Sequence, residues 1–343
     1  MTEEQRTRVS SPQPLPEESE QELTLRPRTL DEFIGQEQLK SNLRVFIESA
    51  RRRGQALDHC IFCGPPGTGK TTLAYIIANE FRTAVKVTSG PALSKTGDLA
   101  ALVSSLQHQD ILFIDEIHRM NRTVEEALYS VMEEFRMDVT IGQGPAGKIL
   151  SLPVEKFTLV GATTRSGMLS APFRSRFGIV ENIGFYTPQE LGCIIRRSAG
   201  IIGVGIDDVS CAELARRCRG TPRVANRLLC RARDFAVVQG NGNITAEVVQ
   251  RTMDALGVDD QGLDPMDRKV LHTIIHKFSG GPVGLDTLAV AVSEEVDTIT
   301  DVYEPYLIQS GFLQRTPRGR VATELAYRHL GVSYVRKDQP RLI

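Results

Sequence analysis

Apolar residues along this chain follow two rhythms. Short unbroken runs, Cys60–Cys63, the apolar centre of Asp110–Asp115, and Phe157–Thr163, have the length and flanks of strands buried on both faces. Val85-Lys86-Val87 reads as a further short strand. Between the runs, apolar positions return at helical spacing. Thr72 to Phe81 is helix-compatible, and Val124, Leu128, Val131, Met132 and Phe135 share one helical face. Strand and helix alternating from about Leu25 to Tyr186 predict an α/β domain, a mostly parallel sheet with helices on both faces. Within it, Val139 to Leu152 holds Gly142, Gly144, Pro145 and Gly147 and reads as an exposed hairpin.

Beyond this domain the rhythm changes. Residues 187–258 look helical throughout and carry nine arginines between Arg196 and Arg233. Asp259 to Pro265 reads as a linker, and residues 266–336 as a third unit of three short helices and a hairpin around Pro317-Arg318-Gly319. Residues 1–24, with Pro12, Pro14, Pro16 and several glutamates, read as a disordered tail. The expected division is 1–24, 25–186, 187–258 and 259–343.

Composition adds exclusions. The 343 residues are 41% hydrophobic, enough for two or three cores, and the net charge of −1 does not by itself announce a nucleic-acid binder. No apolar run is long enough to cross a membrane and no secretory signal is visible, which points to the cytosol and away from a membrane. Six cysteines in such a chain do not make a disulfide framework. Cys60 and Cys63 form a C-x-x-C spacing, but three residues apart on a strand they face opposite ways, so all six read as reduced and mostly buried. His272 and His276 stand four apart with Thr273 where a metalloprotease helix needs glutamate, which favours packing.

The chemistry begins at Gly64-Pro-Pro-Gly-Thr-Gly-Lys-Thr71, which fits G-x-x-x-x-G-K-[ST] between a strand and a helix. In such a loop backbone amides wrap phosphates, Lys70 reaches the β- and γ-phosphates, and the Thr71 hydroxyl binds Mg²⁺. Asp115 and Glu116 end the Asp110 strand. Acidic groups there suit Mg²⁺ organisation by Asp115 and orientation of the attacking water by Glu116.

Together the loop and Asp115-Glu116-Ile117-His118-Arg119 resemble an AAA+ ATPase. Leu25-Arg26-Pro27, Ile34-Gly35-Gln36, Gly161 to Arg165, Arg174 to Gly178, Gly220 to Arg223 and Phe312 to Arg320 narrow the resemblance to the RuvB family of Holliday-junction branch-migration motors, over about residues 25–335. Thr68 departs mildly, since that family more often has leucine there. The resemblance implies an AAA+ ATPase domain, a helical lid and a C-terminal winged helix. It implies ATP and Mg²⁺, a homohexameric ring, duplex and Holliday-junction DNA, a RuvA-type partner on the exposed hairpin, a RuvC-type nuclease, and a role in recombination and SOS-linked repair. For the site it implies Gly67, Gly69, Lys70, Thr71 and Thr72 around the phosphates, and Leu25, Arg26 and Tyr186 flanking the adenine. Glu133, Glu134 and Phe135 resemble a nucleotide-adjacent segment, against the alternative of an exposed helix end. Thr164 is implied as sensor 1, or else a capping threonine. Arg223 is implied as sensor 2, or else a structural arginine. Arg176 is implied as a finger completing a neighbour's site, with Arg174 the competing candidate.

Charge in the third unit is uneven. Residues 259–313 carry three basic and ten acidic residues, and residues 314–343 seven basic and two acidic. The stretch Glu295 to Ile308 holds Glu295, Asp297, Asp301 and Glu304 and no lysine or arginine, a poor helix for a groove flanked by phosphates. Arg315, Arg318 and Arg320 on the turn are the DNA-contacting candidates. Two other functions share the same ATP machinery: a protein unfoldase, which needs an aromatic pore loop not evident here, and a DNA scaffold that uses ATP as an assembly switch.

Overall fold

The computed structural model describes residues 23–141 and 148–334. The expected tail therefore falls almost wholly outside the described residues, as does the tip of the expected hairpin, residues 142–147. The described chain forms two compact units, Leu23–Phe185 and a second beginning at Tyr186.

In the first unit five parallel strands, β1 (Cys60–Cys63), β2 (Val85–Ser89), β3 (Ile111–Asp115), β6 (Thr158–Thr163) and β7 (Ile179–Asn182), lie in the order β2-β3-β6-β1-β7. The intervening β4 (Arg136–Ile141) and β5 (Lys148–Pro153) form a separate antiparallel hairpin that starts three residues earlier than the glycine pattern suggests. Side chains alternate across the sheet and so build two cores. Cys60, Phe62, Ile111, Phe113 and Val160 pack under α1 (Glu37–Arg53) and α2 (Lys70–Phe81). Ile61, Cys63, Leu112, Ile114 and Leu159 face α3 (Thr96–Val103) and α4 (Arg122–Glu134). Helices thus cover both faces, and Cys60 and Cys63 lie in different cores. All six cysteines are free thiols, and only Cys193 is exposed. Asn121 starts α4 by accepting from Val124 N at 2.9 Å. Phe135 ends it at φ 51, packing edge-on against Phe157 instead of extending the helical face.

The second unit opens with four helices, α6 (Pro188–Ile202), α7 (Asp208–Arg216), α8 (Pro222–Gln239) and α9 (Ala246–Leu256), following the short α5 (Ala171–Arg174) of the first unit. It is not helical throughout: β8 (Gly205–Ile206) and β9 (Asn243–Ile244) pair in parallel. Next come α10 (Pro265–Lys277) and α11 (Leu285–Val292). A third helix follows as α12 (Val296–Thr298), a π turn (Ile299–Tyr303) and α13 (Glu304–Gln309). The hairpin β10 (Leu313–Thr316) and β11 (Gly319–Ala322) leads to α14 (Glu324–His329). Leu271, Ile274, Leu288, Leu307 and Phe312 give this part its own core, the arrangement of a winged helix. His272 and His276 stack at 5.2 Å on α10, and no metal-holding cluster occurs among the described residues.

Asp259 to Pro265 is not a loose linker. Leu263 and Asp264 are fully buried, Asp259 Oδ1 accepts from Leu263 N at 2.9 Å, and Asp259 Oδ2 lies 2.8 Å from His329 Nε2. Nearby, burial pushes the Asp267 carboxyl well above the usual carboxylate range, and Arg219 only partly offsets this because its one guanidinium serves Asp264 as well. A raised carboxyl pKa favours the folded state fully below the unfolded value, and that contribution is lost as pH rises through the folded value. Asp267→Asn should therefore leave the melting temperature at neutral pH unchanged or higher and flatten its decline above about pH 5. Scanning calorimetry across pH checks this, and a variant that melts lower at every pH contradicts it.

Candidate functional site

Three adjacent strand ends bring the candidate residues to one edge. β6 lies between β1 and β3, with Cys63 opposite Thr163 and Ile114 opposite Gly161. The glycine loop leaves β1, Thr164 follows β6, and Asp115-Glu116 closes β3, all at the carboxyl edge where open α/β sheets bind ligands.

The loop is built as a cradle. Gly69 caps α2 at φ 104, a left-handed conformation that suits glycine, and no side chain occupies the cap. The first N–H groups and positive end of α2 are therefore left open to a ligand. Lys70 is only 7% exposed, and its Nζ donates to Gly64 O at 2.8 Å and Pro65 O at 2.7 Å. Thr68 is fully buried, and its hydroxyl donates to Pro65 O at 2.8 Å, which gives a reason for threonine where the family more often has leucine. Gly67 is also left-handed, and half-buried Thr71 and Thr72 lie in the first turn of α2.

Glu116 takes φ 46, rare for a residue with a Cβ. Its turn is held by Asp115 Oδ1, which accepts from Glu116 N at 2.9 Å, and by Arg119 N, which donates to Glu116 O at 2.8 Å. A Cβ on Gly90 would stand 2.4 Å from Glu116 O, so only glycine fits beside this turn. The Glu116–Arg119 ion pair at 3.1 Å is half exposed and contributes little. Thr163 Oγ1 accepts from Arg165 N at 3.0 Å and lies 3.0 Å from His118 Nδ1. Thr164 Oγ1 is buried and has no hydrogen-bond partner, so this threonine caps nothing. An unmatched buried hydroxyl costs about 1–3 kcal/mol, and a phosphate oxygen in the cradle is a fitting partner. The orphan hydroxyl, uncapped helix and glycine loop fit a nucleoside triphosphate. Thr71 and Asp115 are oxygen donors of the kind Mg²⁺ takes beside phosphates.

The two competing arginines differ in surroundings. Burial raises the Cys63 thiol, and the charges of Arg174 and Lys70 partly offset this, so Arg174 lies within electrostatic reach of its own chain's loop. Arg176 turns toward α4. Its Nη1 donates to Pro172 O at 2.6 Å, its guanidinium lies 4.5 Å from the centre of the Tyr129 ring, and Nε sits 3.0 Å from Glu133 Oε1. That last contact is an ion pair without hydrogen-bond alignment. Glu133 thus meets Arg176, Glu134 pairs with Arg136 at 2.5 Å, and Phe135 packs into the core.

Of the adenine candidates, Leu25 is buried in the first unit, with Arg26 5.5 Å over the Tyr75 ring. Tyr186 is buried in the second unit, its N–H donating to Gly220 O at 2.8 Å, and burial pushes its phenol up. Arg223 lies in the first turn of α8, where a cation opposes the helix dipole, so helix stability does not account for it.

On the wing, Arg315 and Arg318 are exposed and line an open groove of about 510 Å³ with Gly284, Thr316 and Pro317. Arg320 also borders this groove but is not exposed as they are. It is buried, and its Nε and Nη2 donate to Glu304 Oε1 and Oε2 at 2.7 and 2.9 Å, tying β11 to the third helix. Glu304 is likewise buried, so it adds nothing to the acidity of that helix's surface. Arg315→Ala with Arg318→Ala should weaken DNA binding across sequences and lower the salt slope by about two. Arg320→Ala should instead destabilise the domain by about 3–5 kcal/mol by stranding Glu304. Binding titrations over a salt series and thermal melts separate the two. An unchanged slope in the first variant moves DNA contact elsewhere.

Sequence reasoning missed Arg219 and Gly90, and it placed Glu304 on an acidic helix surface where the structure pairs it with Arg320. Arg219 directly precedes Gly220-Thr-Pro-Arg223, and its place in that motif was the available signal.

Comparisons with known proteins cover the same ground. Family models match residues 25–183 as the Holliday junction DNA helicase RuvB P-loop domain, 186–259 as the RuvB AAA lid domain, and 260–331 as the RuvB C-terminal winged helix domain. The Holliday junction branch migration complex subunit RuvB of Oleidesulfovibrio alaskensis is 57% identical over 309 residues, 90% of this chain and 96% of that protein. The solved Thermotoga maritima RuvB Holliday junction branch migration motor is 52% identical, with a TM-score of 0.84 over 91% of this chain and all of the other. A substituted form of the same motor gives a TM-score of 0.85.

Proposed function

This chain belongs to the RuvB family, and on that premise we propose how its residues turn ATP into movement of DNA. It is a P-loop AAA+ ATPase and a Holliday-junction branch-migration motor. The loop amides and Lys70 bind the triphosphate, Leu25, Arg26 and Tyr186 flank the base, and Thr71 with Asp115 holds Mg²⁺. That ion, when bound, neutralises charge between the phosphates. Glu116, fixed in its left-handed turn, orients the water that attacks the γ-phosphate. Thr164 spends its orphan hydroxyl on the same phosphate, and Arg223 reaches it from the lid. Arg176 serves the neighbouring subunit of a hexameric ring, with Glu133 and Tyr129 keeping it poised. Arg174 stays with its own loop. Arg315 and Arg318 grip phosphates without reading sequence, as a translocating motor requires. The β4–β5 hairpin docks a RuvA-type junction-binding protein, and a RuvC-type nuclease cuts the same junction. The work is done in the cytoplasm, in recombination and SOS-linked repair.

The observation that carries this reading is the common edge of β1, β6 and β3, which sets the loop, an unpartnered hydroxyl and a strained acidic turn side by side. The test is strand displacement on synthetic four-way junctions with ATP and a RuvA-type protein. The expected result is ATP-dependent resolution into duplexes. Hydrolysis without any resolution of junctions contradicts it.

A further inference from the structure

The turn that precedes α8 has a set of contacts that involves none of the residues proposed to meet the nucleotide. Arg219, at φ 53, sends a guanidinium that is 3% exposed into the start of the winged helix. Nη1 lies 3.1 Å from Asp264 Oδ2 and 2.9 Å from Asp267 Oδ2, and Nη2 donates to Asp267 Oδ1 at 3.1 Å. Both carboxylates are fully buried, and each accepts the other's backbone N–H, which caps α10. The guanidinium lies 4.9 Å from the centre of the Tyr306 ring and 5.9 Å from that of Tyr303, so it also meets the third helix. Tyr306 Oη returns the connection, donating to Gln261 O at 2.6 Å.

Arg217, two residues earlier, repeats the pattern. It is 2% exposed and donates from Nη2 to Glu213 Oε1 at 2.6 Å, to Gln250 Oε1 at 3.2 Å and, across the joint, to Asp260 Oδ1 at 2.7 Å. Arg268 answers from α10, donating to Gly257 O at 2.8 Å. A flexible linker makes no such contacts. The Arg219 pairs are buried on both sides and costly to separate, so they favour one arrangement of the joint, whereas the Arg217 bond reaches an Asp260 that is 80% exposed and adds less.

The same turn lies next in sequence to a residue proposed to meet the nucleotide. Gly220 O accepts from Tyr186 N, and Arg223 is the second residue of α8, after Pro222. We propose that Arg219 is the positioning residue that locks the lid to the winged helix, so that lid rotation reaches the DNA-gripping wing undiminished as the motion of one rigid lever. The lever rests on the motor reading above, but its rigidity can be measured independently of it. Arg219 is 3% exposed and taken up by Asp264 and Asp267, so its loss should spare both binding steps and uncouple them.

The experiment uses the full chain with Cys193→Ser, since the other five thiols are buried. Spin labels go on Val209→Cys in the lid and Val290→Cys in the winged helix, at positions 70% and 81% exposed. A second pair joins Val209→Cys to Val45→Cys, 64% exposed, in the ATPase domain. The lid-to-wing distance should be narrow and identical with ADP and with a non-hydrolysable ATP analogue. The ATPase-to-lid distance should shift between them. Combining Arg219→Met, Asp264→Asn and Asp267→Asn removes the clamp without stranding a charge, and asparagine still caps α10. This variant should broaden the lid-to-wing distribution and cut junctions migrated per ATP about tenfold, with ATP turnover and DNA affinity retained. Asp267→Asn alone keeps one of the fork's two acceptor oxygens and the whole Asp264 contact, and should broaden the lid-to-wing distribution less than the triple variant. A lid-to-wing distance that moves with nucleotide in the unmodified clamp overturns the lever, and this measurement needs no clamp variant to fold. So does a clamp-free variant with unchanged yield per ATP. If the ATPase-to-lid distance fails to shift while the lid-to-wing distance stays fixed, the motor reading falls and the clamp stands.

Discussion

Lys70→Ala should leave a folded protein that no longer migrates junctions with ATP, with hydrolysis reduced at least a hundredfold. Lys70 Nζ is held by two loop carbonyls and is nearly closed off from solvent, so its charge acts in a site of low dielectric. No other basic side chain opens α2, since the first turn continues with Thr71, Thr72 and Leu73. Removing the ammonium leaves the loop amides, so residual nucleotide affinity is compatible with the account. Retained ATP-driven migration in the four-way-junction assay would remove Lys70 from the mechanism.

Arg176→Ala should behave differently. Nucleotide binding should be nearly unchanged while hydrolysis in assembled rings falls about a thousandfold or more. The reason is directional: Arg174 and Lys70 share the electrostatic surroundings of Cys63 at the loop's own strand, whereas Arg176 points toward Tyr129 and Glu133. Equilibrium binding of a fluorescent ATP analogue, set beside steady-state hydrolysis at ring-forming concentrations, separates the two effects. A parallel loss of binding makes Arg176 a residue of its own subunit's site.

The strands that carry the site were legible because buried strands leave continuous apolar runs, and β1, β3 and β6 are of this kind. The loop and the acidic turn were legible because their chemistry demands particular residues at fixed spacing. Other features depended on partners far away in sequence. Arg320 on a basic turn looks the same whether it is solvated or bound to Glu304, sixteen residues earlier. Asp259 to Pro265 has the composition of a linker, and partners far away in sequence, Arg217 and Arg219 some forty residues upstream and Tyr306 and His329 downstream, turn it into a joint. Phe135 keeps the helical period, yet the backbone has already turned left-handed there. The strain at Glu116 depends on Gly90 from another strand's exit, which no local pattern records.

The central claim is that each hydrolysing site belongs to two subunits. Mixing Arg176→Ala subunits with Glu116→Gln subunits tests it most directly. Neither alone should hydrolyse ATP. In mixed rings an interface can pair an intact Glu116 with a neighbour's intact Arg176. Activity should then rise and peak near equal proportions, where about a quarter of head-to-tail interfaces carry both groups. Hydrolysis that stays at the level of the separate variants at every ratio, in rings shown to exchange subunits, contradicts the shared site.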